Sequence, residues 1–300
     1  MKHNTLMAEG LLLVAALIWG FAFVAQIVGM EHVGPFTFNL ARFVMGGLVL
    51  IPIVRYLEPG HRSGTPAIGV IPASLLAGGI LFAASSLQQV GLQYTTAGKA
   101  GFITGLYIVL IPLFGLLFRQ KTHRNTWMGA GLALWGLYLL TIEGPFELAW
   151  GDTLELIGAL FWAAHVMVIG WLAPRTDALR LAAGQFIVAG VLSGAVAYAV
   201  ETPRLDDMLS GWAPILYGGL CSVAIAFTLQ VVAQKHVPAS HAAILMSLEA
   251  AFAALGGWWM LDEHLSLRAL AGCGLMLAGM IVSQLRPRQP ALQPNSALQG

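Results

Sequence analysis

Apolar positions along this chain come in runs too long for a globular core. Bounded by charge, proline or glycine, they fall at 7–30, 36–57, 67–92, 98–118, 125–142, 153–173, 180–200, 211–234, 238–261 and 267–285. At about 1.5 Å rise per residue, roughly 20 helical residues cross the hydrocarbon of a bilayer. The pattern predicts ten membrane-spanning helices and an all-α polytopic membrane protein. The charge-free stretch 63–98 counts as one span with an approach loop, because Gly78–Gly79 is its one internal turn signal. The first run is longer than the apolar core of a signal peptide and has no small-x-small site after it, so it is expected to remain as a span.

Composition agrees. Apolar side chains make up 58% of the chain and charged ones 10%, with a mean hydropathy of +0.77. A soluble domain averages about 25% charged residues, so the solvent for this surface is lipid. A net charge of +1 excludes the clustered basic face of a nucleic-acid binder. Cys221 and Cys273 both lie inside apolar runs, so neither a disulfide framework nor a zinc site is expected.

Lysine and arginine set the direction of insertion. Eleven (Lys2, Arg55, Arg62, Arg119, Lys121, Arg124, Arg175, Arg180, Lys235, Arg286 and Arg288) fall on the side of the N-terminus, against Lys99, Arg204 and Arg268 on the other, while Arg42 lies inside the second span. Both termini are therefore expected in the cytoplasm. Most acids, Glu31, Glu143, Glu147, Asp152, Glu201, Asp206, Asp207, Asp262 and Glu263, fall on the outer side.

The chain also matches itself. At a shift of 143, Ala16-Leu-Ile-Trp19 meets Ala159-Leu-Phe-Trp162, Gly47 meets Gly190, and Gly129, Gly131 and Gly136 meet Gly272, Gly274 and Gly279. At a shift of 142, Tyr94–Ala100 lies over His236–Ala242. The first repeat is expected over 1–145 and the second over 150–288, with a flexible tail at 289–300. Five spans per repeat is odd, so the second repeat enters the membrane upside down. Inverted repeats are the architecture of secondary transporters, whose substrate site lies near the midplane where the halves meet.

Several runs resemble one known family. They are Ala16-Leu-Ile-Trp19-Gly20, Asn39-Leu-Ala-Arg42-Phe43, Tyr94-Thr-Thr-Ala-Gly-Lys-Ala-Gly-Phe-Ile103 leading to Pro112, Leu248-Glu249, Asp262-Glu-His-Leu-Ser266 and Gly272-x-Gly274-x4-Gly279. Over all but the tail, the chain resembles the drug/metabolite transporters, specifically ten-span members built from two EamA domains. The resemblance implies a basket of ten helices that moves amino acids or other small metabolites. Two positions depart from the family pattern: Glu249 is followed by Ala250 rather than proline, and Arg119-Gln-Lys121 stands where an acid is common.

An intramembrane charge costs about 2.5–3.5 kcal/mol on insertion scales, so it needs a partner or a water-filled cavity. Glu249 lies near the midplane, 11 residues from one end of its run and 12 from the other. It either holds a substrate amine or a proton, or is a structural acid bonded to a neighbouring helix. Arg42 either snorkels outward or binds a carboxylate. The peripheral place of span 2 in the resembled family, and Gln185 at the equivalent position, favour a structural role. Lys99 and its counterpart His241 open their spans, solvated at a rim or facing an anion.

Ser85, Ser86, Gln88, Gln89 and Gln93 form a polar stripe in span 3, and Ser222, Thr228, Gln230 and Gln234 another in span 8. They serve either an uncharged or zwitterionic solute or helix–helix bonding. Trp19, Trp162 and Tyr107 lie inside their spans rather than in an interfacial belt, and His165 follows Trp162 by three residues as a second proton site. Trp19, Gln89, Gln93, Tyr107, Trp162, His165, Gln230 and Glu249 are expected to face one central cavity, with nothing contributed by spans 5 and 10. The glycines of those two spans make either scaffold contacts or a homodimer surface.

No Walker A sequence, His-Glu-x-x-His or Gly-x-Ser-x-Gly occurs, so neither an ATP-driven pump nor a membrane enzyme is expected, and no cofactor or metal. The expectation is a secondary transporter, foremost an exporter, of small polar or amphipathic metabolites such as amino acids in a bacterial inner membrane, with Glu249 either coupling transport to protons or holding a substrate amine. An uncoupled facilitator or lipid-type flippase on the same scaffold is the alternative.

Overall fold

A computed structural model describes residues 2–57, 67–95, 97–117, 122–142, 149–260 and 266–285. Every regular element among them is helical. The first half gives α1 (Lys2–Met30), α2 (Pro35–Leu57), α3 (Val70–Gly91), α4 (Ala97–Gly105), α5 (Tyr107–Leu117) and α6 (Arg124–Thr141). The second gives α7 (Trp150–Leu172), α8 (Ala178–Val200), the short α9 (Leu205–Ser210) and α10 (Trp212–Leu216), a π-helical stretch (Tyr217–Phe227), α11 (Thr228–Ala233), α12 (Ala239–Met246), α13 (Glu249–Met260) and α14 (Leu267–Gln284). The sequence expectations placed on Arg62, Arg119, Lys121, Glu143, Glu147, Asp262, Glu263, Arg286, Arg288 and the 289–300 tail lie outside the described residues, as does the side chain of Lys99.

Seven segments among the described residues are long and apolar enough to cross a membrane: Asn4–Met30, Pro35–Tyr56, Val70–Gly91, Ala100–Leu117, Trp150–Leu172, Ala178–Val200 and Trp212–Ala233. The runs expected as spans 5, 9 and 10 fall on α6, on α12 with α13, and on α14. The outward surface of the helices is apolar: Ile71 on α3, Leu117 on α5, Trp259 on α13 and Leu267 on α14 are each at least 74% exposed. In water such a surface would be a large aggregation-prone patch, whereas in lipid it is the ordinary exterior. The protein is an integral membrane protein.

Two of the expected continuous spans are broken. The fourth is interrupted at Leu106, between α4 and α5, and the ninth at Ser247–Leu248, between α12 and α13. The second break needs no proline: the Ser247 hydroxyl donates back to the Ile244 carbonyl at 2.8 Å, and Ala250 N–H reaches only three residues back, to Ser247 O at 3.2 Å. Such local bonding competes with the regular ladder and bends a helix. The Glu249-Ala250 departure from the family pattern therefore leaves the interruption in place.

Packing is densest where glycine removes side chains. α6 lies along α14, and a methyl group on Gly136 or on Gly272 would stand 2.5 Å from the other's carbonyl oxygen. Gly129 and Gly279 repeat this at 2.6 Å. These four glycines are used within the chain as scaffold, whereas Gly131 and Gly274 meet nothing within 4 Å. α2 and α8 meet in the same way, Gly47 against Ile187 and Gly190 against Val44. At the tip of this pair the Glu201 carboxylate accepts from Phe36 N–H and Thr37 N–H, both at 2.8 Å, and from the Thr37 hydroxyl. Free N–H groups at a helix start are satisfied by such an acceptor, so the end of α8 caps α2.

Among the described residues, the two largest of five buried apolar clusters fill the interior. One gathers Phe43, Leu81, Ile169, Phe186 and Phe227, the other Leu12, Ile108, Ile111, Ala163 and Met246. Trp19 and Trp162 pack against both and form the seam between them.

Candidate functional site

A cavity of about 580 Å³, its mouth included, opens along that seam. Small-ligand sites are concave, mostly apolar hollows with a few convergent polar groups, and the space here that water-sized molecules can occupy is about 60 Å³. α1 contributes Trp19, Ala22, Phe23 and Gln26 to its wall, and the π-helical stretch contributes Ser222 and Phe227. Single polar groups enter from other helices: Arg42, Gln88, Thr104, Tyr107, Gln230 and Glu249. Among the described residues, none of those lining it comes from α6 or α14.

The two helix interruptions meet here. Tyr107 begins α5 and Glu249 begins α13, and the Tyr107 hydroxyl donates to Glu249 Oε1 at 3.1 Å. The two positions are 142 apart, the shift that aligns the repeats in this region. An interrupted helix frees backbone groups and is tolerated at membrane depth only where it is buried or lines a cavity.

Aromatic rings make the floor. Phe227 stands at their centre, edge-on to Trp19 at 4.7 Å and stacked on Trp162 at 6.0 Å, with Phe43 at 6.4 Å. It closes the π-helical stretch, whose looser winding shifts side-chain register and is common at functional sites. A chain of amides ties the wall together. Trp162 Nε1 donates to Gln88 Oε1 at 2.8 Å, and Gln88 Nε2 donates to Gln26 Oε1 at 3.2 Å. On the opposite flank Gln230 donates to Gln234 at 3.1 Å, and Gln234 to the Val166 carbonyl at 2.9 Å.

Of the eight residues expected at the cavity, Trp19, Tyr107, Trp162, Gln230 and Glu249 line it. Three do not. Gln89 is fully buried beside the cavity with Nε2 against Gln26 O at 3.5 Å, because the face of α3 turned inward is that of Gln88, one residue away. Gln93 lies beyond the end of α3, exposed, on a second hollow with His32, Glu201 and Asp207, so its i,i+4 spacing to Gln89 carries no helical meaning. His165 is fully buried behind the wall, bonded to Gln185 at 2.9 Å and edge-on to Phe227. His241 bonds Glu9 Oε1 at 3.1 Å rather than standing solvated.

Arg42, for which the sequence favoured a structural role, also lines the cavity. Gln26 and Glu155 carried no weight in the sequence, although a lone polar residue in an apolar run is a legible signal for each. Glu155 is fully buried in α7 and accepts from Thr104 at 3.0 Å, one residue removed from the cavity space. Phe227, one of 14 phenylalanines, offered no signal at all.

Comparison with known proteins agrees with this picture. The chain is 30% identical over 280 residues to an "Uncharacterized transporter" of Archaeoglobus fulgidus, covering 92% of this chain and 85% of that one. It is 24% identical to "Uncharacterized inner membrane transporter YedA" of Escherichia coli, covering 95% and 94%, and 24% identical to "Uncharacterized transporter YetK" of Bacillus subtilis, covering 93% and 87%. A solved crystal structure at 20% identity superposes with a TM-score of 0.78 over 93% of this chain and 96% of that one, which establishes the shared fold. The EamA-like transporter family model matches twice, over residues 6–142 and 149–284, and the chain therefore belongs to the EamA-like transporter family.

Proposed function

We propose that this protein is a secondary transporter that exports small polar or amphipathic metabolites, such as amino acids, by alternating access of two inverted five-span repeats. The observation that carries the reading is the Tyr107–Glu249 contact, in which repeat-equivalent residues at two helix interruptions meet inside one cavity. A residue touching its own repeat equivalent lies on a two-fold axis. The helix pairs support the same axis: Gly129 meets Gly279 and Gly136 meets Gly272, as Gly47 meets Ile187 and Gly190 meets Val44. Under a shift of 143 each contact maps onto its partner.

In this reading the membrane is a bacterial inner membrane, both termini are cytoplasmic, and the chain crosses ten times. Gln26, Arg42 and Gln88 then belong to the outer half, so the cavity faces outward, while Glu9 and His241 close the inner side. Glu249 carries the coupling proton or receives a substrate amine. Its carboxylate costs least in hydrocarbon when it is protonated or paired.

Glu249→Gln tests this reading, because it preserves size and the acceptor for Tyr107 while removing the titration. In proteoliposomes loaded with a mixture of amino acids, the wild type should show efflux that depends on an imposed pH gradient. The variant should fold normally and lose efflux or its pH dependence. Unchanged efflux with unchanged pH dependence overturns the coupling role. Efflux insensitive to pH in the wild type itself supports the uncoupled facilitator instead.

A further inference from the structure

Among the described residues Arg42 is the one arginine that lines the central cavity, and it is poorly explained as scaffold. Its residue surface is 4% exposed. Nε donates to Asn39 Oδ1 at 2.9 Å, and the guanidinium lies over the rings of Phe38 at 5.4 Å and Phe43 at 4.9 Å. Those contacts hold the group still without neutralising it. Its two terminal nitrogens have no hydrogen-bonding partner and no carboxylate within salt-bridge distance among the described residues. A desolvated cation left unpaired is costly, and the usual remedy is an ion pair.

The repeat supplies an internal control. The position equivalent to Arg42 is Gln185, which sits fully buried in α8 and bonds His165. The same packing site in the other half is thus filled by a neutral amide. Positive charge is not what orients this helix.

We propose that Arg42 is the anion-binding residue of the cavity, and that the transported solute carries a carboxylate together with an apolar or aromatic body. The proposal rests on the cavity being the transport site. The guanidinium offers two parallel N–H groups, the fork that matches a planar oxyanion. Trp19, Trp162 and Phe227 offer flat faces for the body of the solute, and Glu249 offers an acceptor for an ammonium group. A zwitterion satisfies all three features. A solute without an oxyanion leaves Arg42 unpaired.

Three probes that share one phenylethyl body separate the charges: L-phenylalanine, phenethylamine and 3-phenylpropanoate. Their binding to the purified full-length protein is measured by the ligand-induced rise in melting temperature, across a concentration series. The wild type should bind the two carboxylates, and L-phenylalanine most tightly. Arg42→Gln, which installs the residue found in the other half, should weaken both carboxylates at least tenfold and leave phenethylamine unchanged. Arg42→Lys keeps the charge without the fork and should fall between them.

A purely structural Arg42 would lower the melting temperature of the free protein without changing the order of the three probes. That result overturns the proposal, as does a wild type that prefers phenethylamine or binds no carboxylate. Sodium chloride titrated alone distinguishes a resident halide from a solute carboxylate. If it stabilises the wild type as well as L-phenylalanine does, the anion is a counter-ion and the proposal falls. If Arg42→Gln does not fold, Arg42→Lys decides by the same ranking. The parent reading fails separately, by Glu249→Gln leaving efflux and its pH dependence intact.

Discussion

Two methyl groups test the contact between α6 and α14. Gly136→Ala places a Cβ 2.5 Å from Gly272 O and 2.8 Å from Met276 N, and Gly272→Ala places one 2.5 Å from Gly136 O and 2.8 Å from Leu140 N. Ordinary Cβ contacts begin at 3.4 Å, so the helices must part by about 0.9 Å. The obstacles are backbone atoms, which cannot rotate away. Overpacking of this kind costs ~1–3 kcal/mol, against which the better helix propensity of alanine returns ~1 kcal/mol.

Each single variant should therefore lose up to roughly 2 kcal/mol against wild type, and ~1–3 kcal/mol against an alanine that gains the propensity without the clash. The double variant should lose less than the sum, because both methyls push apart the same two backbones and the second finds them already separated. Gly131→Ala and Gly274→Ala are the controls. Their methyl groups meet nothing within 4 Å, so both should be neutral or slightly stabilising. Reversible unfolding in mixed micelles reads all five variants against the wild type. The packing is refuted if Gly136→Ala and Gly272→Ala match the controls within ~0.5 kcal/mol, or if their costs simply add.

Other outcomes follow from the same contacts. Reporters fused after Gly300 and inserted at Lys121 should read cytoplasm, and one at Glu147 should read the outside; any swap removes the ten-span inverted topology. Glu201→Ala takes the acceptor from Phe36 N–H, Thr37 N–H and the Thr37 hydroxyl, so it should cost ~2 kcal/mol of stability. A change below ~0.5 kcal/mol would mean water caps α2 equally well.

The class of protein was legible from the sequence, because a hydrophobic solvent leaves a crude and redundant mark. Runs of about 20 apolar residues survive errors of several positions, and the family resemblance rested on whole motifs. Glu249 was legible too, since an acid at the middle of an apolar run has few reasons to be there. So were Trp19 and Trp162, through the register of the repeat. Sequence periodicity failed at finer scale. One residue around a helix is a turn of about 100°, enough to exchange Gln88 for Gln89 at the cavity wall.

What tertiary structure alone decided depends on which distant surfaces meet. The breaks at Leu106 and Ser247–Leu248 follow from local bonding that hydropathy does not register. Phe227 became the centre of the aromatic floor only because a π-helical stretch turned it between Trp19 and Trp162. Arg42 read as peripheral from its span, yet the close approach of α2 to the π-helical stretch, with Gly218 and Gly219 making room, brings its guanidinium to the cavity. Sequence determines which residues lipid would expel, because that is a property of each side chain. Which of the expelled groups face one another is a property of packing, and packing is set by pairs of residues far apart in the chain.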